Sequence, residues 1–308
     1  MKRVMTIQDI SCIGKCSLTV ALPILSAAGL ETAVIPTAVL STHTAFKRFE
    51  FFDLTDKIQP IADHLYEEGF GFDAIYTGYL GSFEQLNTVS NFIDRFRGDG
   101  TLVVIDPVMG DNGKLYAGFD DDYVAAMRRL CARADIILPN ITEGALMTGM
   151  AYDPDAPEEY CREMAEKLLA LGCKTVILTG FCPQAGQIGF LGASRDGKFF
   201  SYSREELPRS CHGTGDLFAA EQVPGIELAG MEGISVEIEV AGDDIGVLEM
   251  ILCGEEGIKV VLRHIVPAEE QLHPEGIRRA QDRSDIPGIL QLFQRQHPAD
   301  LIQIRCGG

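Results

Sequence analysis

The sequence predicts an α/β fold with a mainly parallel sheet, and two observations lead to that prediction. Short β-rich apolar runs alternate with helix-length segments over the first 220 residues, which is the pattern of βαβ units. Several of these runs end in polar or proline-containing turns, such as Asp106-Pro107 and Pro139-Asn140. Ligands bind beyond the carboxyl ends of the strands in such sheets, so these turns are candidate site positions.

The individual elements follow from periodicity and from breaker residues. Strands are expected at residues 4–7, 32–36, 74–76, 101–105, 135–138 and 174–179. Helices are expected at residues 17–28, with Gly29 as the C-cap, and at residues 157–171. Beyond residue 220 the chain becomes acidic and glycine-rich, with strand-like stretches at residues 235–240 and 257–266.

Charge and hydropathy exclude several classes of function. The chain has 45 acidic and 26 basic residues, a net charge of −19, which repels phosphate backbones and anionic lipid. Nucleic acid and membrane surfaces are therefore not expected partners. No apolar run reaches the roughly 18 residues that a membrane span needs, and an acid at Asp9 precedes any signal-peptide core. We expect a cytoplasmic protein.

Nine cysteines are too few for a disulfide scaffold in a chain of 308 residues. Cys12 and Cys16 form the one close pair, and a Cys-x3-Cys pair alone is weak evidence for zinc. We expect reduced thiols that pack inside the protein.

The strongest local motif runs from Cys211 to Ala220 and contains Gly213-Thr214-Gly215-Asp216. Glycines permit positive φ and close approach to a ligand, and a helix starting at Thr214 or Gly215 would direct free amides at an anion. Asp216, in the first turn, could take a proton from an alcohol that attacks phosphorus. The alternative is an ordinary helix start whose acid complements the dipole.

Two other strand ends carry acids. Asn140 and Glu143 have the spacing of a helix capping box, and the alternative is that they hold a magnesium ion and its waters. Asp106 and Asp111 follow another strand, where either could be a turn residue. Three strand ends with acids or amides beside one glycine-rich turn favour a functional site.

Together these motifs resemble those of the ribokinase-like small-molecule kinases, and within them the pyridoxal/pyridoxamine (vitamin B6) kinases. The supporting segments are residues 6–11, 39–44 and 77–82. The resemblance covers about residues 2–220 and implies a three-layer αβα fold with a mainly parallel central sheet. It also implies phosphoryl transfer from ATP to the 5′-hydroxymethyl group of pyridoxal, pyridoxine or pyridoxamine.

The resemblance assigns roles to individual residues. It implies Asp216 as the base and the amides of Gly213, Thr214 and Gly215 as the anion hole. For the pyridine ring it implies Asp9, His43, Thr44 and Tyr79. For Mg²⁺ it implies Asn140 and Glu143, with a monovalent cation as a further candidate ion. For the nucleotide and its phosphates it implies Asp106, Asp111, Tyr116 and Thr179, the last of these ending its strand. A homodimer is also expected.

Two features near the site need their own interpretation. Many relatives carry serine at position 9, whereas Asp9 could bond a protonated ring nitrogen or an amino substituent, which favours pyridoxamine or a pyrimidine. The Cys211 thiol could add reversibly to an aldehyde substrate, and the favoured alternative is that it packs.

The last 88 residues do not resemble the family. After the Gly-x-Gly-Asp motif, family members continue with long helices that form one side of the adenine pocket. Here Pro224 is expected to end the motif's helix after two or three turns. Residues 277–290 faintly resemble the opening of an N-acetyltransferase domain. Three explanations compete: a frameshift or rearrangement, a natural fusion whose new segment forms another wall, or a segment that serves a partner while the core only binds.

Three rival functions stay open beside a vitamer kinase. A hydroxymethylpyrimidine kinase shares the fold and the Gly-x-Gly-Asp chemistry. A non-catalytic vitamer-binding protein would keep the ring pocket and lose the nucleotide wall. A chain that folds poorly and has no function is the third, and limited proteolysis near residue 221 would test it.

Overall fold

A computed structural model describes residues 1–44, 46–206 and 213–225, together with the strands at 235–241, 246–253 and 259–266. Cys211 and residues 277–290 lie outside the described residues. No helix in the described part of the chain is long and apolar enough to cross a membrane.

The strands and helices alternate through most of the chain. The helices are α1 (Leu18–Ala27), α2 (Thr55–Glu67), α3 (Phe83–Phe96), α4 (Asp121–Cys131), α5 (Ile141–Thr148), α6 (Glu158–Leu169) and α7 (Thr214–Gly225). The strands up to residue 205 are β1 (Arg3–Ser11), β2 (Glu31–Leu40), β3 (Phe51–Asp53), β4 (Ala74–Thr77), β5 (Leu102–Ile105), β6 (Gly110–Asp111), β7 (Lys114–Leu115), β8 (Ile136–Ile137), β9 (Thr175–Phe181), β10 (Gln187–Ser194) and β11 (Phe199–Glu205).

Nine of these strands form one sheet in the order β11-β10-β9-β8-β5-β4-β1-β2-β3. The six strands from β9 to β2 pair in parallel, with Thr6 opposite Tyr76 and Ile105 opposite Ile137. Antiparallel strands close both edges, β3 on one side and the β10–β11 pair on the other. Because the central strands are parallel, their carboxyl ends lie along one edge, where the candidate residues follow them.

Helices cover both faces of the sheet. Met5 and Ile7 of β1 belong to one buried cluster with apolar side chains of α2 to α6. Side chains alternate along a strand, so Val4 and Thr6 face the opposite layer, where α1 packs against β1 and against α7. The predicted α/β class and the three-layer αβα arrangement are confirmed.

The sequence located most strands but not their lengths. β2 extends to Leu40, four residues past its predicted end, and β9 extends to Phe181. The expectation that Thr179 ends its strand is therefore wrong, because pairing with β10 continues to Phe181. α7 is described from Thr214 to Gly225, so the predicted boundary between residues 220 and 221 falls inside this helix. The residues that would test whether Pro224 ends it lie outside the described part of the chain.

Three further strands form a separate sheet in the order β12-β13-β14: β12 (Ser235–Ala241), β13 (Gly246–Cys253) and β14 (Lys259–Val266). The first and third overlap the strand-like stretches seen in the sequence. β13 was not predicted, although Val247, Leu248, Met250 and Ile251 make it apolar.

At the amino end of β8, the Asp135 side chain bonds residues in and next to the neighbouring strands. Its side chain is only 5% exposed. Oδ2 accepts the Val103 N–H at 2.8 Å, and Oδ1 contacts Arg97 at 2.9 Å and Lys174 at 2.8 Å. β8 leads directly into the Asn140 turn, so this anchor holds one strand that carries the candidate site.

Replacing Asp135 with Ala is expected to lower the free energy of unfolding by about 2 kcal/mol. The variant leaves the Val103 N–H buried without an acceptor and removes both ion pairs, whose cationic partners are partly exposed. Urea unfolding followed by circular dichroism measures the change. The matched control is Asp196→Ala, which removes an exposed ion pair with Lys198 and should leave the midpoint unchanged. Equal midpoints for both variants would contradict the role of Asp135.

Candidate active site

The Gly213–Asp216 turn begins α7 in a conformation that its sequence dictates. Gly213 has φ +81°, and a Cβ there would lie 2.1 Å from the carbonyl oxygen of Lys15. Only glycine fits both the positive φ and the close approach. The Leu217 N–H bonds the Gly213 carbonyl at 2.9 Å, which is the first bond of the helix. The amides before it have no carbonyl of their own helix to bond and point out of its N-terminus.

Asp216 lies in this first turn and is half-buried. Its Oδ2 accepts the backbone N–H of Ser17 at 2.8 Å, a bond between residues 199 positions apart. Burial raises the pKa of Asp216, and the bond from Ser17 opposes that rise. The carboxylate is therefore held by a main-chain amide at the start of α1.

Asp106, at the end of β5, is 8% exposed. Burial raises its pKa well above the usual range, and the charges of Glu143 and Asp216 raise it further. Asp106 follows β5, Glu143 follows β8 and Asp216 lies in α7, and Asp106 is within electrostatic range of the other two. The structure thus brings together the acids of the three motifs.

Asn140 and Glu143 form the capping box that their spacing predicts. The Asn140 side chain accepts the Glu143 N–H at 2.9 Å, and Glu143 Oε2 accepts the Asn140 N–H at 2.9 Å. Glu143 Oε1 accepts the Met109 N–H at 3.0 Å, and Asn140 Nδ2 donates to the Gly110 carbonyl at 2.9 Å. The start of α5 is thereby fastened to the turn after β5.

Glu143 is almost fully buried, and burial raises its pKa to about 8 while the backbone hydrogen bonds act in the opposite direction. Each of its oxygens already accepts one amide. Because one lone pair of each oxygen is already used by an amide, a metal ion at this turn has only the remaining lone pairs to bind. We therefore expect the ion to contact Glu143 through a water molecule.

Two of the residues assigned to the pyridine ring, Asp9 and Tyr79, interact electrostatically with each other. Asp9 is 5% exposed in β1, and its pKa is raised to about 6, first by burial and also by the charge of Asp216. Tyr79 follows β4; burial and the Asp9 charge raise its pKa, and its ring centroid lies 5.9 Å from that of Phe119. Asp9 thus lies within electrostatic range of both Asp216 and Tyr79.

His43 and Thr44 follow β2. The His43 ring lies edge-on to Phe46, with 4.8 Å between centroids, and a Cβ on Gly14 would be 2.2 Å from its Cδ2. Thr44 is exposed. The loop after β1 therefore packs directly on His43.

Besides Asp106, three residues are assigned to the nucleotide and its phosphates, and they lie around the Asn140 turn. Asp111 is exposed on the β6–β7 ribbon, and Tyr116 follows that ribbon with its N–H bonded to the Met109 carbonyl at 2.9 Å. Burial raises the pKa of Tyr116, as do the charges of Glu143 and Asp111. The Thr179 N–H bonds the Pro139 carbonyl at 2.8 Å, and Thr179 pairs with Asn140.

The acids of this site lack a basic partner within the described part of the chain. None of Asp9, Asp106, Glu143 and Asp216 forms an ion pair there. Among the same residues, no group of three or more His, Cys, Asp or Glu side chains is close enough to bind one metal ion directly. The site therefore concentrates acidic side chains, and backbone amides bond two of them, Glu143 and Asp216.

Sequence reasoning missed Ser17, whose amide bonds Asp216. A serine before an apolar helix predicts an ordinary N-cap, but the side chain makes no capping bond here and the backbone has φ 48°. No sequence pattern signals that conformation in serine.

Comparison with known proteins identifies what this arrangement is similar to. The sequence profile of the family described as phosphomethylpyrimidine kinase matches residues 25–223. The solved structure of a putative phosphomethylpyrimidine kinase from Bacteroides thetaiotaomicron, in a crystal form with pyridoxal, is 37% identical with a TM-score of 0.71. The match covers 74% of this chain and 81% of that one.

Two solved pyridoxal kinases are similar as well. The enzyme from Lactobacillus plantarum is 34% identical with a TM-score of 0.67, covering 75% of this chain and 83% of that one. The enzyme from Leishmania donovani, in complex with ADP and ginkgotoxin, is 25% identical with a TM-score of 0.66, covering 73% and 79%. The profile match includes the turns of Asp106, Glu143 and Asp216.

The raised pKa of Glu143 gives a pH dependence of stability. A carboxyl whose pKa rises from 4.5 to about 8 on folding stabilises the folded protein in its protonated form, and that contribution is lost as pH rises towards 8. Glu143→Gln should therefore flatten the fall in unfolding free energy between pH 4.5 and 8, as measured by urea unfolding across that interval. The exposed Glu166→Gln is the control and should keep the wild-type slope. A wild-type slope in Glu143→Gln would contradict the raised pKa.

Proposed function

The chain belongs to the phosphomethylpyrimidine kinase family and has its ribokinase-like fold, and we propose that it transfers the γ-phosphoryl group of ATP to the 5′-hydroxymethyl group of a B6 vitamer. Pyridoxal, pyridoxine and pyridoxamine are the proposed substrates. The observation that carries the proposal is the Asp216 carboxylate in the first turn of α7, held by the Ser17 amide beside a glycine turn.

Asp216 is proposed as the general base. Among the described residues Ser17 donates to its Oδ2, which leaves Oδ1 to take the proton of the substrate hydroxyl. The alcohol oxygen then bonds the γ-phosphorus, the bond from that phosphorus to the β–γ bridging oxygen breaks, and ADP leaves. A raised pKa suits the role, because a base with a pKa nearer to neutral accepts a proton more readily.

The amides of Gly213, Thr214 and Gly215 are proposed to bind the oxygens of the moving phosphoryl group. They precede the first helical hydrogen bond, and the α7 dipole adds positive potential at this end. Preorganised amides of this kind stabilise charge as it develops, at no cost in reorganisation.

The donor set of the site fits a magnesium ion. Asp106 and Glu143 offer carboxylate oxygens in a cluster without a described basic partner, and the ion would relieve their mutual repulsion. Mg²⁺ keeps several waters and takes few protein ligands beside substrate phosphates, which agrees with the absence of a three-residue ligand group in the described chain. When bound, it would neutralise phosphate charge. Asn140 is proposed to orient Glu143 through the capping box.

The ring of the vitamer is proposed to bind among Asp9, His43, Thr44 and Tyr79. With a pKa of about 6, Asp9 could pair as a carboxylate with a protonated ring nitrogen or an amino substituent. This supports a preference for pyridoxamine among the vitamers. Tyr79 and Phe119 offer aromatic faces for the ring.

For the nucleotide we propose Asp111, Tyr116 and Thr179, which surround the Asn140 turn. The ADP in the Leishmania donovani relative supports ATP as the co-substrate. A homodimer and a monovalent cation stay predictions from the family resemblance.

A hydroxymethylpyrimidine kinase is the second candidate, because the family profile and the Bacteroides thetaiotaomicron relative carry the pyrimidine kinase description. A coupled assay of ADP release with pyridoxal, pyridoxamine and hydroxymethylpyrimidine separates the two. Turnover of hydroxymethylpyrimidine alone would overturn the vitamer proposal. Vitamer binding without Mg²⁺-ATP binding in calorimetry would instead favour a non-catalytic binder.

Asp216→Ala is expected to lower kcat by about 10²–10⁴-fold, because the substrate hydroxyl loses its proton acceptor. Vitamer affinity, measured by calorimetry, should stay within about tenfold, since ring contacts dominate it. The control is Glu159→Ala, which removes an exposed acid from the first turn of α6 and should leave kcat unchanged. An active Asp216→Ala protein would remove the base assignment.

Asp106→Asn should raise the Mg²⁺ concentration for half-maximal activity by about tenfold, the usual cost of losing an outer ligand of a metal ion. The assay titrates Mg²⁺ at saturating ATP and vitamer. Asp196→Asn, on the exposed turn after β10, is the control and should follow the wild-type curve. An unchanged requirement in Asp106→Asn would contradict the metal role of this residue.

A further inference from the structure

Ser17 has a backbone conformation that is unfavourable for its residue type. It has φ 48° and ψ −128°, the region of the first central residue of a type II′ turn, where glycine dominates. Asn112 is the other non-glycine residue with positive φ among those described, and asparagine tolerates that region well. Such conformations are unfavourable and persist where the surrounding structure imposes them.

The usual reason for a serine before a helix does not apply. Ser17 is the N-cap residue of α1, but its side chain makes no capping hydrogen bond. Ser17 is only 7% exposed, so hydrogen bonds between water and its hydroxyl do not compensate for the backbone conformation either. Helix capping therefore does not account for the strain.

The strained backbone instead directs the Ser17 N–H at Asp216. The N–H lies 2.8 Å from Oδ2. Two residues earlier, the Lys15 carbonyl packs against Gly213, the residue directly before α7. This contact holds the position of the start of the helix. The loop before α1 thus contacts α7 at two points, one on each side of the Gly213–Asp216 turn.

We propose that Ser17 is a positioning residue whose strained backbone holds one oxygen of Asp216 and turns the other towards the substrate hydroxyl. The proposal rests on the proposed role of Asp216 as the base. The Ser17 side chain also lowers the pKa of Asp9, against the larger effect of burial. One residue therefore joins the base to the acid assigned to the ring.

Two substitutions separate backbone conformation from side chain. Ser17→Gly keeps the N–H and adopts φ 48° without strain, so kcat should stay within about threefold of wild type. Ser17→Val disfavours positive φ because valine is β-branched, and displacing the N–H should lower kcat by about 10–100-fold. The KM values for vitamer and ATP should change little. The kcat of Ser17→Ala, which removes only the hydroxyl, should lie between the kcat values of Ser17→Gly and Ser17→Val.

The acid side of the kcat–pH profile gives a readout that a purely structural role would not move. Asp216 must be ionised to act, and losing a bond to its charged form raises its pKa, so activity in Ser17→Val should be lost at a higher pH. The groups that share electrostatic interactions with Asp216 are Asp9, Cys16, Tyr76, Asp106 and Tyr116. Burial raises the pKa of the Cys16 thiol to about 11, so it stays neutral across this range.

A ¹³C NMR titration of the Asp216 carboxyl, assigned by its loss in Asp216→Asn, tests the contact without turnover. The midpoint should rise in Ser17→Val and stay near the wild-type value in Ser17→Gly. Equal midpoints in wild type and Ser17→Val would overturn the proposal. If the wild-type protein had no kinase activity but the Asp216 midpoint still rose in Ser17→Val, the proposed kinase function would be wrong and the contact between Ser17 and Asp216 would stand. Thermal unfolding of each variant identifies loss of fold, and if Ser17→Val is unfolded, Ser17→Thr, which is also β-branched but keeps the hydroxyl, takes its place in both measurements.

Discussion

Several carboxyl groups lie fully or partly buried at one edge of the sheet, and main-chain amides bond two of them, Asp216 and Glu143. Ser17 donates its N–H to Asp216, while Met109 and Asn140 donate theirs to Glu143. Burial raises the pKa of these acids, and the amides oppose that effect. An amide at a helix start neutralises only part of a charge. None of these acids forms an ion pair with a described lysine or arginine, so a bound cation, such as the proposed magnesium ion, would favour their ionised forms.

The fold and the motif residues could be predicted because local rules decide them. Gly213 has to be glycine where φ is positive and the Lys15 carbonyl is close. Asn140 and Glu143 have capping-box spacing, and the box forms. Alternating strands and helices predicted the parallel sheet, since βαβ units leave few other arrangements.

What could not be predicted depends on distant parts of the chain. A serine before a helix predicts a side-chain cap, and nothing near Ser17 in the sequence indicates that its backbone bonds a carboxylate 199 positions away. Thr179 was expected to end its strand, but antiparallel pairing with β10 extends β9. For Asp216 the family resemblance supplied the role, and the structure supplies the amide that orients it.

The bond between Ser17 and Asp216 also bears on how the protein is made. Its two partners come from opposite ends of the kinase-like part of the chain, and closing so long a loop is slow compared with forming neighbouring βαβ units. During synthesis the first strands and helices leave the ribosome long before α7 exists. Until that helix emerges and docks, the nascent protein lacks Asp216, the proposed base, so the proposed catalytic centre is completed late in synthesis.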